Sequence, residues 1–226
     1  MQNEMNQIKR ELQVTADGSH TLFIPEMDEH YHSVNGAVQE SRHVFIEAGL
    51  HQLEREDITV FEIGFGTGLN AFLSLLDAEQ HQKRITYYSA ELYPLKMEVV
   101  QALNYGELIC EERKKDFYAL HEASWNTPVR ITDHFVLHKI EGDSNRCELP
   151  KGIDLVYFDA FAPDKQPEMW SQEIFNRLYA SMREGGVLTT YCAKGVVRRM
   201  MKEAGYSVER IPGPPGKREM LRAIKL

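Results

Sequence analysis

The sequence predicts an α/β fold: a mostly parallel, seven-stranded sheet with helices on both faces and an antiparallel pair at its C-terminal edge, preceded by an N-terminal extension. Three observations predict it. Strand-like and helix-like apolar patterns alternate from Ile58 onward, as they do in a parallel sheet connected through helices. A glycine-rich turn directly follows the first of these strands. The last two strand patterns are separated only by Pro212-Gly-Pro-Pro-Gly216, so they pair antiparallel.

Residues 1–57 are polar and irregular and read as an extension that packs over the ligand-binding rim; residues 58–226 read as the main domain. Within the extension, Thr21–Pro25 is a short strand pattern. Gln39–Leu53 is expected to be one helix, with Val44, Phe45, Ala48 and Leu53 facing inward. The domain then runs through strand Ile58–Ile63, helix Leu69–Leu76, strand Arg84–Glu91 and helix Leu95–Leu103, with Pro94 at that helix's entry. Residues 104–130 are charged and expected to be helical, with Glu111–Lys115 on a solvated face. Phe135–Ile140 is the third strand. Ile153–Phe158, apolar almost throughout, is the fourth and should lie centrally. Helix Glu168–Met182, strand Gly186–Cys192, helix Gly195–Ala204 and strands Tyr206–Ile211 and Glu219–Leu226 complete the pattern.

Composition narrows the function classes. The 226 residues are 42% apolar, enough for a buried core. No apolar run is long enough to span a bilayer, and the polar start Met1–Gln7 lacks the apolar core of a signal peptide; a cytoplasmic protein without membrane partners is expected. The three cysteines, Cys110, Cys147 and Cys192, are odd in number and widely spaced, so reduced thiols are expected. The nine histidines form no HExxH pattern, and no metal is expected. The net charge of −8 disfavours unspecific polyanion binding without excluding a local basic patch.

The chemistry-bearing residues fall where the strands of such a sheet end, which is where its ligands bind. Glu62, Gly64, Gly66 and Gly68 alternate in Phe61-Glu-Ile-Gly-Phe-Gly-Thr-Gly-Leu-Asn70. Glycines let the backbone approach a ligand closely, and the next helix offers it a positive N-terminus. A dinucleotide loop, G-x-G-x-x-G/A, requires a small residue at position 69; Leu69 stands there. The form E-x-G-x-G-x-G is that of the Rossmann-like class I S-adenosylmethionine-dependent methyltransferases, which makes S-adenosylmethionine the expected cofactor. Glu91, at the end of the second strand and roughly 20 residues on, is placed to accept hydrogen bonds from a ribose diol. Asp143 in Glu141-Gly-Asp143 is placed either to accept from an adenine amino group or to bond its own turn. Asp159 ends the buried fourth strand. It is read either as the group that orients an amine and takes its proton, or as the cap of the following helix, for which Glu168 and Ser171 are better placed. The expected cofactor set is therefore Glu62, Gly64, Phe65, Gly66, Thr67, Gly68, Asn70, Glu91, Asp143, Asp159 and Ala160.

Four blocks together resemble the methyltransferase domain of the bacterial MnmC-type tRNA-modifying enzymes: Asp159-Ala-Phe-Ala-Pro-Asp-Lys-Gln-Pro-Glu-Met-Trp170, Phe61–Asn70, Tyr31–Phe45 and Gly216–Leu221. The resemblance runs from about residue 20 to the end. It implies methylation of the exocyclic amine of 5-aminomethyl-2-thiouridine at the tRNA wobble position, with Asp159 positioning the amine. Bifunctional members carry a further flavin-dependent domain, and because this sequence stops at Leu226, methyl transfer alone is expected. Tyr31, Ser33 and Phe161 are the expected base contacts, and Lys165, Arg198, Arg199, Lys217 and Arg218, with Lys194 and Lys202, the expected phosphate contacts. The competing readings are a methyltransferase of the same fold acting on a small-molecule amine, a nicotinamide-dependent oxidoreductase, and a non-catalytic module that kept the pocket.

Overall fold

A computed structural model describes residues 8–226; the polar start Met1–Gln7 lies outside the described residues. The extension begins with a small antiparallel sheet of strands β1 (Glu11–Val14), β2 (His20–Ile24) and β3 (Glu29–His30). Helix α1 (Ala37–Ser41) follows. It passes into a π-helical segment, Arg42–Glu47, and then a 3-10 turn, Leu50–Gln52. The single helix expected over Gln39–Leu53 is thus three segments. Ala48 N–H reaches back five residues to the His43 carbonyl, and Gly49 leaves helical geometry where a Cβ would stand 2.5 Å from the Phe45 carbonyl oxygen.

Strand β4 (Asp57–Ile63) opens the main sheet, followed by α2 (Leu69–His81) and β5 (Arg84–Glu91). Three short helices come next, α3 (Met97–Val100), α4 (Tyr105–Ile109) and α5 (Lys114–Glu122). Then come β6 (Pro128–Arg130), β7 (Phe135–Glu141) and β8 (Ile153–Phe158). The chain ends through α6 (Gln172–Ser181), β9 (Met182–Thr190), α7 (Gly195–Ala204), β10 (Tyr206–Pro212) and β11 (Glu219–Lys225).

The sheet has eight strands in the order β10-β11-β9-β8-β4-β5-β7-β6. The additional strand is β6, in the region expected to be wholly helical. Asn126 there takes a positive φ of 59°, and the segment after it pairs antiparallel with β7. Pro128 is tolerable because β6 is an edge strand. The last two strands pair antiparallel as expected, with β11 also antiparallel to β9. The strand expected from Gly186 begins earlier, at Met182, with a register irregularity against β8 between Ile153 and Leu155. The helix expected from Glu168 starts at Gln172, because Ser171 is its cap and accepts from Ile174 N–H at 3.3 Å.

Helices cover both faces. Tyr87, Tyr157, Phe45, Phe72 and Phe117 pack on one side of the sheet; Phe61, Phe158, Trp170, Phe175 and Leu188 pack on the other. All six residues of β8 are buried, as a central parallel strand requires. β4 has β5 on one side and β8 on the other. The connections therefore diverge at β4, which opens a crevice at the carboxyl ends of these strands. Among the described residues, no helix is long and apolar enough to cross a membrane.

Candidate active site

The turn from β4 into α2 is built on glycines with positive φ: Gly64 (86°), Gly66 (50°) and Gly68 (72°). A Cβ on any of the three would also crowd a neighbour. A Cβ on Gly66 would stand 3.3 Å from the Tyr31 ring. A Cβ on Gly68 would stand 2.6 Å from His121 Nε2, a ring nitrogen itself held 3.1 Å from the Thr67 carbonyl. The Gly66 N–H donates to Glu91 Oε2 at 2.9 Å and the Tyr93 N–H to Glu91 Oε1 at 2.7 Å. The loop and the end of β5 are thereby locked together through one carboxylate.

Two cavities open at this rim. The first, of about 260 Å³, is lined by Gly64, Phe65, Gly66, Thr67, Asn70, Glu91, Asp143, Asp159 and Ala160 from the domain, and by Arg10, Tyr31 and His32 from the extension. The second, of about 340 Å³, is lined by Tyr31, His32, Ser33, Glu40, Asp159, Ala160, Phe161, Tyr191 and Lys217. Tyr31, His32, Asp159, Ala160 and Phe161 border both. Of the residues expected to hold the cofactor, Glu62 and Gly68 do not reach the first cavity. Glu62 is 1% exposed and lies beneath the loop, where Ser89 Oγ donates to it at 2.7 Å and Asn70 Nδ2 at 3.0 Å. Gly68 caps α2. Asp143 bonds its own turn, its Oδ1 accepting from Asn145 N–H at 2.9 Å, and it also lines the first cavity.

Among the expected substrate contacts, Tyr31 and Phe161 meet edge to face at 5.3 Å between ring centroids, and Ser33 and Lys217 line the second cavity. Lys165 is turned to the extension, donating to the Met27 carbonyl at 2.8 Å. Arg198, Arg199 and Arg218 line neither cavity; Arg199 and Arg218 are exposed.

The electrostatics centre on two carboxyls bridged by one amide. Asn70 Nδ2 donates to Glu62 at 3.0 Å and to Asp159 Oδ2 at 2.8 Å. Burial pushes Glu62 up to about 8, with the Asp159 charge adding to the effect. Burial likewise pushes Asp159 up to about 7, helped by Glu40 and opposed by the Asn70 hydrogen bond and by Lys217. Asp159 therefore exchanges a proton near neutral pH.

Sequence reasoning passed over several residues. Glu40 is 7% exposed. It accepts from Lys217 Nζ at 2.8 Å and from Ser33 N–H at 2.8 Å, and Lys217 also sits 3.9 Å above the Tyr191 ring. The sequence shows only a glutamate in a polar segment; nothing local signals its burial. His32, buried at the border of both cavities and pulled down to about 4 by that burial, bonds Thr67 Oγ1 at 2.7 Å as a neutral ring. Lys139 is 1% exposed, donates to the His121 carbonyl at 2.5 Å, lies 4.5 Å over the Trp125 ring and is lowered to about 8 by burial. Arg10 Nε donates to Tyr31 Oη at 3.0 Å.

The first cavity fits S-adenosylmethionine. Its glycine floor has no Cβ atoms to fill it, two carboxylates, Glu91 and Asp143, line it, and the buried Asn70 Oδ1 has no hydrogen-bond partner within the protein. The comparisons agree. A family described as S-adenosyl-L-methionine-dependent methyltransferase matches residues 117–226. The "tRNA 5-methylaminomethyl-2-thiouridine biosynthesis bifunctional protein MnmC" of Cupriavidus metallidurans is 33% identical over 88% of this chain and 32% of its own length. The protein of that name from Leptospira interrogans is 30% identical over 87% of this chain and 32% of its own length. The chain thus spans about a third of the length of the curated relatives it matches. The crystal structure of MNMC2 from Aquifex aeolicus superposes with a TM-score of 0.80 at 27% identity, covering 97% of this chain and 71% of that one.

Proposed function

We propose that this S-adenosylmethionine-dependent methyltransferase, a relative of the methyltransferase region of the MnmC proteins, methylates 5-aminomethyl-2-thiouridine at the tRNA wobble position. The product is 5-methylaminomethyl-2-thiouridine, the nucleoside in the relatives' name; removing one methyl from it leaves the primary amine as acceptor. The observation that carries this reading is the position of Asp159 on the boundary of both cavities. A group there faces a methyl donor on one side and an acceptor on the other.

The cofactor, when bound, supplies an electrophilic methyl on a sulfonium sulfur. Glu91 is suited to the ribose hydroxyls and Asp143 to the adenine amino group, while Gly64 and Gly66 keep the floor low. Glu62 and Gly68 serve from behind: the first orients Asn70, the second starts α2. On the other side, Tyr31 and Phe161 present aromatic faces to a base that has left its stack. Asp159, ionised above about 7, takes the ammonium proton of the acceptor and holds the freed nitrogen in line. Residues 8–57 act as the cover that completes the acceptor cavity. Exposed Arg199 and Arg218 offer charge to the tRNA backbone, and the setting is the cytoplasm.

The test replaces Asp159 with Ala and follows methyl incorporation from labelled S-adenosylmethionine into tRNA bearing the aminomethyl nucleoside. Incorporation should fall by about 10²–10⁴-fold. Unchanged turnover removes Asp159 from the mechanism. Methylation of a free amine, with no methylated nucleoside in digested tRNA, moves the assignment to a small-molecule acceptor.

A further inference from the structure

We infer that His51, Asp77 and His81 form a zinc-class metal site on the face of the domain opposite the cofactor rim. His51 Nε2 lies 2.6 Å and His81 Nδ1 3.2 Å from Asp77 Oδ1, and the three donor atoms all fall within 4.8 Å of one another. Tetrahedral zinc, with bonds of about 2.0–2.1 Å, sets its ligand atoms roughly 3.3 Å apart. Reaching that spacing takes rotation of both half-exposed imidazoles, with His81 Nδ1 leaving the Asp77 backbone carbonyl 3.0 Å away.

Asp77 is the reason to look for a cation. It is 8% exposed, and a buried carboxylate needs compensation. Among the described residues its ion-pair partners are the two histidines alone, and neither carries a permanent charge. His51 bonds Oδ1, His81 divides Nδ1 between Oδ1 and the Asp77 backbone carbonyl, and the buried Oδ2 has no hydrogen-bond partner. A divalent ion supplies the missing charge to the carboxylate and accepts a lone pair from each ring. Two imidazoles and one carboxylate suit zinc and its neighbours rather than magnesium or calcium. The side chains of His51 and His81 are 42% and 43% exposed, which leaves a fourth position open to water.

The sequence shows no such site because its ligands come from different elements. Asp77 and His81 are one turn apart near the end of α2, whereas His51 comes from the 3-10 turn of the extension. α2 starts at the cofactor loop and runs 13 residues to His81, about 20 Å at 1.5 Å per residue. The ion therefore sits remote from methyl transfer. It clamps the extension to the domain and acts on stability.

The experiment uses tag-free protein stripped with a chelator, then titrated with zinc by calorimetry and with cobalt by visible absorption. We expect one ion per chain, a cobalt ligand-field spectrum, and a melting temperature that rises with zinc. His51→Ala and His81→Ala should each weaken binding at least about tenfold and abolish the thermal shift, with far-ultraviolet circular dichroism unchanged. The histidines are chosen over Asp77 because their exposure makes the variants safe to fold. Binding that survives in both variants is adventitious and overturns the site. Loss in only one variant overturns the three-ligand set, and zinc without a thermal shift overturns the clamp.

Discussion

The amide nitrogen of Asn70 lies 2.8 Å from Asp159 Oδ2. That single donor ties the group at the boundary of the two cavities to the first turn of α2, and so to the cofactor loop. The same nitrogen reaches Glu62, whose carboxyl is otherwise held by Ser89. The glycine loop and two buried carboxyls thus share one side chain.

Replacing Asn70 with Ala should therefore disturb proton transfer more than folding. Its hydrogen bond lowers both Asp159 and Glu62, so its loss moves the Asp159 ionisation further above neutrality. A hydrogen bond to a charged group is worth about 1.5–3 kcal/mol, which corresponds to roughly a 10–100-fold fall in turnover at pH 7. The pH profile of kcat should show its rising limb displaced to higher pH. A limb left where it was would separate Asn70 from the ionisation.

Asp159 and Glu62 also make a signed prediction about stability. Both have folded-state values raised by burial, to about 7 and about 8, above the unfolded carboxyl range near 4. Their contribution is fully present below that range and is lost as pH rises through the folded values. Urea denaturation should find the native protein weaker at pH 8.5 than at pH 5. Asp159→Asn and Glu62→Gln should each flatten that dependence, the first while lowering turnover by about 10²–10⁴-fold. A dependence equally steep in both variants would show that the carboxyls are not its source.

Much of this was legible in the sequence. The unbroken apolar run of β8 marked a central strand, and the glycine spacing with Leu69 marked the cofactor. The helix expected from Glu168 was legible as a helix but not in its start, which Ser171 caps. What remained hidden depends on tertiary contact. Gln39–Leu53 has a good helical period, yet Gly49 packs its backbone against the Phe45 carbonyl and the helix breaks. β6 is three residues long and exists only because β7 offers it an edge. Glu40 and Lys139 look like solvated charges, but Lys217 in one case and two aromatic rings with a carbonyl in the other let them be buried. Glu62 reads as a ligand contact and is a support, because its side chain turns beneath the loop towards Ser89.

The Glu40–Lys217 pair should tune Asp159 in opposite directions from its two ends. Glu40 raises the Asp159 value and Lys217 lowers it. Each also restrains the other, at 2.8 Å. Glu40→Gln leaves Lys217 unopposed and should bring the rising limb of kcat to lower pH. Lys217→Met leaves Glu40 unopposed and should carry it higher. Measuring both profiles on one tRNA preparation checks the sign, and displacement of both limbs in the same direction would refute the electrostatic account.

Gly68→Ala should be the most damaging single change in the cofactor loop, and the reason is steric as well as conformational. Its φ of 72° costs an alanine roughly 1–2 kcal/mol. Its Cβ would also stand 2.6 Å from His121 Nε2. That ring is held by the Thr67 carbonyl, and the backbone carbonyl of His121 is fixed by Lys139, so overpacking adds about 1–3 kcal/mol. Gly185→Ala provides the comparison, because φ there is 75° with nothing within 4 Å of the added methyl. Chemical denaturation should show Gly185→Ala losing only the conformational part and Gly68→Ala at least about 1 kcal/mol more. Equal losses would mean that His121 moves aside freely. In that case the His121–Thr67 contact does not brace the loop, and S-adenosylmethionine affinity should be the same in Gly68→Ala as in the native protein.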